Sequence, residues 1–159
     1  MKFNSTEILE RVKEKIQNLH LPIPPQPSTE DVEMQLPEDP DKLTSTQLAQ
    51  KMSRASSWFG YVQRLLGVLE SELILVGAEY KIEVNVKGIP IREKLGKVNK
   101  DVVEACVLEA YEELMPLYTR IHELKAIKAT LESRLEIYSK FHQTLSREQS
   151  RREMEMKTG

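Results

Sequence analysis

The chain has 159 residues, a one-domain length, with 30 % charged residues, only 6 % aromatic ones and a formal net charge of −2. One cysteine, Cys106, excludes an intrachain disulfide and a cysteine metal site, and its place in an apolar pattern reads as a small core residue. The charge is uneven: the first fifty residues hold five Lys and Arg against nine Asp and Glu, and the remainder eighteen against sixteen.

Residues 1–43 read as a short helix followed by an acidic, Pro-rich arm. Asn4 and Glu7 have capping-box spacing, and Ile8, Val12, Ile16 and Leu19 recur at helical intervals. Six prolines then fall between Pro22 and Pro40. Proline removes backbone donors and keeps the chain extended, so this arm is either a flexible tether or a strap by which Ile8, Val12, Ile16, Leu21 and Ile23 dock on a neighbouring subunit.

From Thr44 to about Ile82 the apolar residues Leu48, Met52, Ala55, Phe59, Val62, Leu66, Leu69, Leu73, Val76 and Tyr80 step by four and three without a break. That is a long amphipathic helix with a coiled-coil-like seam. Thr44 and Gln47 have capping-box spacing and Leu43 precedes Leu48 as a staple. At about 55 Å the helix is too long to bury its seam in one globule, so it requires partner helices. Trp58 and Leu65 widen the apolar face, and Ser53, Gly60 and Gly67 form a third row open to close approach. Phe59, Leu66, Leu73 and Val76 are the expected oligomer contacts.

The helical pattern weakens at residues 82–91. Ile82, Val84 and Val86 alternate, Lys87 and Gly88 form a turn signal, and Pro90 separates Ile89 from Ile91. A small β-hairpin or ordered loop is one reading and a frayed helix end the other. Between residues 81 and 100 stand Lys81, Lys87, Arg92, Lys94, Lys97 and Lys100, with Glu83 and Glu93 as the acids. This basic connection is the principal candidate for phosphate contact, against the alternative of a solvated turn.

Asn99 opens a second helical pattern, with Val103, Val107, Ala110, Leu114, Leu117, Ile121, Leu124, Leu131, Leu135, Tyr138 and Leu145 on its seam and Lys128 and His142 filling two seam positions. Pro116 must kink this helix or divide it. Residues 44–145 therefore read as a long antiparallel helical hairpin, all-α and oligomeric. Residues 146–159 form a polar segment in which Arg147, Arg151 and Arg152 offer a second basic set, either for phosphate or for the helix C-terminus.

Enzyme signatures are absent: no glycine-rich phosphate loop, HExxH or GxSxG occurs, and His20, His122 and His142 lack metal-ligand spacing. Glu109, Glu112 and Glu113 sit on the polar face of a helix, and Trp58, Phe59 and Tyr61 read as core aromatics before stacking platforms. The expectation is a non-enzymatic chain with no cofactor and no metal. No apolar run reaches the ~20 residues of a membrane span and the first residues carry no signal-peptide pattern, which predicts a soluble cytoplasmic protein.

The order of LAQKMSRASSWFGYVQRLL and ESELILVGAEYK, a basic connection, and LESRLEIYSKFHQTLSRE resembles the UvsY-type recombination mediators of bacteriophages over residues 44–148. The resemblance implies a homo-oligomer in the cytoplasm of a bacterial host. It further implies non-specific binding of single-stranded DNA and help in loading a recombinase onto strands covered by a single-strand-binding protein. The alternative is a structural assembly protein, such as a phage virion or scaffold component.

Overall fold

The computed structural model describes residues 3–19, 23–27 and 39–158, and all of its regular structure is helical. The helices are α1 (Ser5–Asn18), α2 (Ser45–Lys87), α3 (Ile89–Leu95), α4 (Lys100–Ala110) and α5 (Met115–Thr158), with short 3-10 turns at Pro40–Lys42 and Glu112–Leu114. His20, Leu21 and residues 28–38 of the arm lie outside the described residues.

Local chemistry sets the helix ends. The Asn4 side chain accepts the Glu7 N–H at the start of α1. Thr44 and Gln47 cap α2 reciprocally: the Thr44 N–H donates to Gln47 Oε1 at 2.9 Å and the Gln47 N–H to Thr44 Oγ1 at 3.2 Å. Asn99 accepts the Asp101 N–H at the start of α4. Pro116 is the second residue of α5, where its missing N–H leaves no hydrogen bond unmade, so it divides two helices instead of kinking one.

No strand forms among the described residues, which removes the β-hairpin reading of 82–91 and leaves the helical one. Ile82, Val84 and Val86 complete α2; Gly88 keeps a right-handed helical conformation, and Pro90 lies in the first turn of α3. The Gly88 N–H still reaches the Val84 carbonyl at 2.9 Å. Continuing α2 from Ile82 to Lys87 costs little once the helix is nucleated, whereas an isolated two-stranded hairpin is marginal in water.

The chain divides into two compact units. The first comprises Met1–Leu21 and Val68–Lys128. Its core joins Leu69, Val76 and Tyr80 of α2 with Val103 and Val107 of α4, Leu114, and Ile121 and Leu124 of α5. Glu70 pairs with Lys128, Glu72 with Arg120 and Lys87 with Glu113, so in this unit α2 and the following segment run in opposite directions. The Ser5 N–H donates to Glu79 Oε2 at 3.0 Å, placing a carboxylate at the positive end of α1.

The second unit comprises Pro22–Gly67 and Ala129–Gly159. Leu48, Ala55, Phe141 and Leu145 form its core, with Leu43 and Met52 packed against it. Trp58 stacks on Tyr138 at 6.3 Å between ring centres and meets Tyr61 edge-on at 6.0 Å. Pro24 lies beside Gly60, and Arg64 donates to the Pro24 carbonyl at 3.3 Å. The row of small residues thus receives the extended arm of its own chain at Gly60.

Candidate nucleic-acid interface

The last turns of α2, α3, the loop after it and the first residue of α4 carry the basic connection. Gly88 makes the close approach of these elements feasible: a Cβ there would stand 3.1 Å from Val103 Cγ1 and 3.2 Å from Arg92 Nη2. Gly96, at φ 71°, ends α3 in a conformation that side chains other than glycine seldom adopt, and its N–H closes on the Arg92 carbonyl at 2.9 Å.

These turns bring Lys81 from α2, Arg92 from α3 and Lys100 from α4 to one cleft of about 180 Å³, lined also by Tyr80, Val84, Asn85, Val103 and Glu104. Arg92 Nη2 lies 3.4 Å from Asn85 Oδ1, and all three cationic residues are exposed. Lys94 and Lys97 are exposed as well but stand outside the cleft lining. At the wall, the Tyr80 hydroxyl donates to Glu104 Oε1 at 2.6 Å. Burial first, and the Glu104 carboxylate second, push the Tyr80 hydroxyl above its ordinary pKa, so it stays protonated and one Glu104 oxygen stays engaged.

Lys87 is placed differently from the rest. Its ammonium binds Glu113 Oε1 at 2.7 Å and sits 4.4 Å above the centre of the Tyr111 ring. The hydrogen bond raises the Lys87 pKa and lowers that of Glu113. Lys87 therefore ties α2 to the segment after α4, while Glu109 and Glu112 remain exposed.

The C-terminal arginines lie on α5, which continues through them to Thr158. Arg147 is exposed. Arg151 pairs with Glu148 at 2.8 Å and also with Glu155. Arg152 is half-buried and joins Glu148 at 2.6 Å to the carbonyls of Pro40 and Asp41, each at 3.1 Å. Glu148 is held down at about pH 2 by its hydrogen bonds to Arg151 and then Arg152.

Of the residues expected at an oligomer contact, Val76 is buried in the first unit, while Phe59, Leu66 and Leu73 are half-buried. Phe59 and His142 line a second cavity of about 310 Å³ with Ala55, Ser56, Tyr138, Ser139 and Gln143. Lys128 meets Glu70 at 2.7 Å, which accommodates a cation on the seam. The Trp58 indole nitrogen is buried without a hydrogen-bond partner among the described residues. Cys106 is half-buried on α4. No group of three metal-ligating side chains occurs among the described residues, and no described helix is long and apolar enough to cross a membrane.

Sequence reasoning did not single out Asn85, Glu104 or the hydroxyl of Tyr80 as parts of the basic site. Their only signal was the seam position of Tyr80, whose buried hydroxyl needs a partner. No family model matches the chain, nor does any curated protein or solved structure.

Proposed function

We propose that this protein binds single-stranded DNA without reading its sequence, through the basic connection, and acts as a non-enzymatic helical homo-oligomer in recombinase loading. In this reading α2 and α5 form a coiled-coil-like antiparallel hairpin whose remaining apolar surface joins copies. The observation that carries it is the exposure of Lys81, Arg92, Lys94, Lys97 and Lys100 within twenty residues that hold only two acids. Point charges on flexible stems neutralise phosphates in any sequence, and a rim of them in a ring of copies would track a strand. A recombinase and a single-strand-binding protein are the protein partners this role implies, in a bacterial cytoplasm.

Exposed aliphatic side chains on α2, among them Val68, Ile74, Ile82 and Val86, supply the apolar surface for assembly. The same surface favours the second reading, a structural assembly protein in which nucleic acid plays no part.

The test is the double substitution Lys94→Glu with Lys97→Glu, read by binding of a labelled single-stranded oligonucleotide and by oligomer mass. Lost binding at unchanged mass and helicity is the expected result. Undiminished binding removes the connection as the site.

A further inference from the structure

We infer that the cleft between α2, α3 and α4 receives a terminal phosphate monoester, the phosphorylated end of a strand. The inference rests on the nucleic-acid reading above and narrows it to one group at one place.

Three cations from three separate helices, Lys81, Arg92 and Lys100, line one concavity, and Asn85 Oδ1 accepts from Arg92 Nη2 there. Solvated lysines that merely keep a turn soluble have no reason to share a cleft. The size selects among anions. A volume of about 180 Å³ lies below the ~300 Å³ at which pockets begin to enclose drug-sized ligands, which suits a phosphate group better than a whole nucleotide.

Charge selects further. A monoester carries close to two negative charges near neutral pH and three terminal oxygens, against one charge and two free oxygens for an internal diester. The guanidinium of Arg92 offers a planar pair of donors that suits two phosphate oxygens, and the two lysines add point charges. Glu104 is the single acid in the lining, outnumbered three to one, and its Oε1 already accepts from Tyr80. Lys94 and Lys97, outside the lining, are left for the phosphates that follow.

The test compares oligonucleotides of one sequence bearing a 5′-phosphate, a 3′-phosphate or hydroxyls at both ends, with internally placed dye and anisotropy readout at fixed salt. One phosphorylated end should bind about tenfold tighter than the hydroxyl-ended strand. Arg92→Gln, or Lys100→Gln should the first variant fold poorly, should erase that difference. Lys94→Gln should weaken all three strands alike. Equal affinities for the three strands overturn the terminal-phosphate site and leave the general binding in place. If no strand binds, the nucleic-acid reading fails, and inorganic phosphate titrated into the isotope-labelled protein decides the cleft. Resonance shifts at Asn85, Arg92 and Lys100 would then retain a site for free phosphate, and unshifted resonances would overturn it.

Discussion

Arg152 donates to the backbone carbonyl of Pro40, 112 positions earlier in the chain, at 3.1 Å, while its Nε holds Glu148 at 2.6 Å. One guanidinium thus fastens the turn before α2 to the end of α5 within the second unit. Arg152→Ala should lower stability by about 1.5–3 kcal/mol, the range for charge-assisted hydrogen bonds. Arg151, exposed and paired with Glu148 and Glu155 of its own helix, should matter less, since i,i+4 helix pairs contribute about 0.3–0.5 kcal/mol. Urea unfolding of the two alanine variants side by side checks the order.

Glu148 supplies a pH dependence of known sign. Its carboxyl sits at about 2 in the fold against an ordinary 4.5, so its stabilising effect is complete above pH 4.5 and fades as the pH falls from 4.5 towards 2. The wild-type melting temperature should therefore drop more steeply across that interval than the melting temperature of Glu148→Gln. Parallel curves would show that the arginine pairing is absent in solution.

Phe141 is buried and its neighbour His142 is not, although both satisfy a four-three step between Tyr138 and Leu145. Phe141→Ala should cost about 3–5 kcal/mol, as expected for a buried aromatic truncated to alanine, whereas His142→Ala should stay near 1 kcal/mol. Equal losses would place the helix in the other register.

Two glycines, one inside α2 and one between α2 and α3, should respond with opposite sign. A Cβ at Gly67 meets nothing within 4 Å, so Gly67→Ala should stabilise α2 by about 0.5–1 kcal/mol. At Gly88 the added carbon would stand 2.7 Å from the Val84 carbonyl oxygen and 3.1 Å from Val103, and Gly88→Ala should cost about 1–3 kcal/mol. Thermal melts of the two variants separate the cases.

The seam of α2 was legible in the sequence because a seven-residue repeat states which face is covered without saying by what. Leu48, Ala55, Val62, Leu69 and Val76 are all buried, and the alternate positions Met52, Phe59, Leu66 and Leu73 are half-buried. The caps at Asn4, Thr44 and Asn99 were legible for a similar reason, since each is completed within a few residues. Residues 82–91 were not, because three alternating β-branched residues fit a strand as well as the end of a helix, and continuation of α2 decided between them. His142 was placed on the seam where Phe141 lies, since periodicity alone does not separate adjacent residues; the larger apolar side chain takes the core. The basic stretch was visible as a count of charges. Which of its members share a cleft depends on the turns at Gly88 and Gly96, and the diversion of Lys87 to Glu113 and Tyr111 depends on a segment twenty-six residues away.

The most direct test of nucleic-acid binding by the basic connection is the anisotropy of a labelled, hydroxyl-ended single strand titrated with the protein at several salt concentrations. Binding should weaken with salt, with a log–log slope between about −1.4, where Lys94 and Lys97 alone neutralise phosphates of a hydroxyl-ended strand, and about −3.5, where all five exposed cations do, at about −0.7 per contact. Absence of binding at low salt, or an affinity indifferent to salt, would contradict the account and leave an assembly protein.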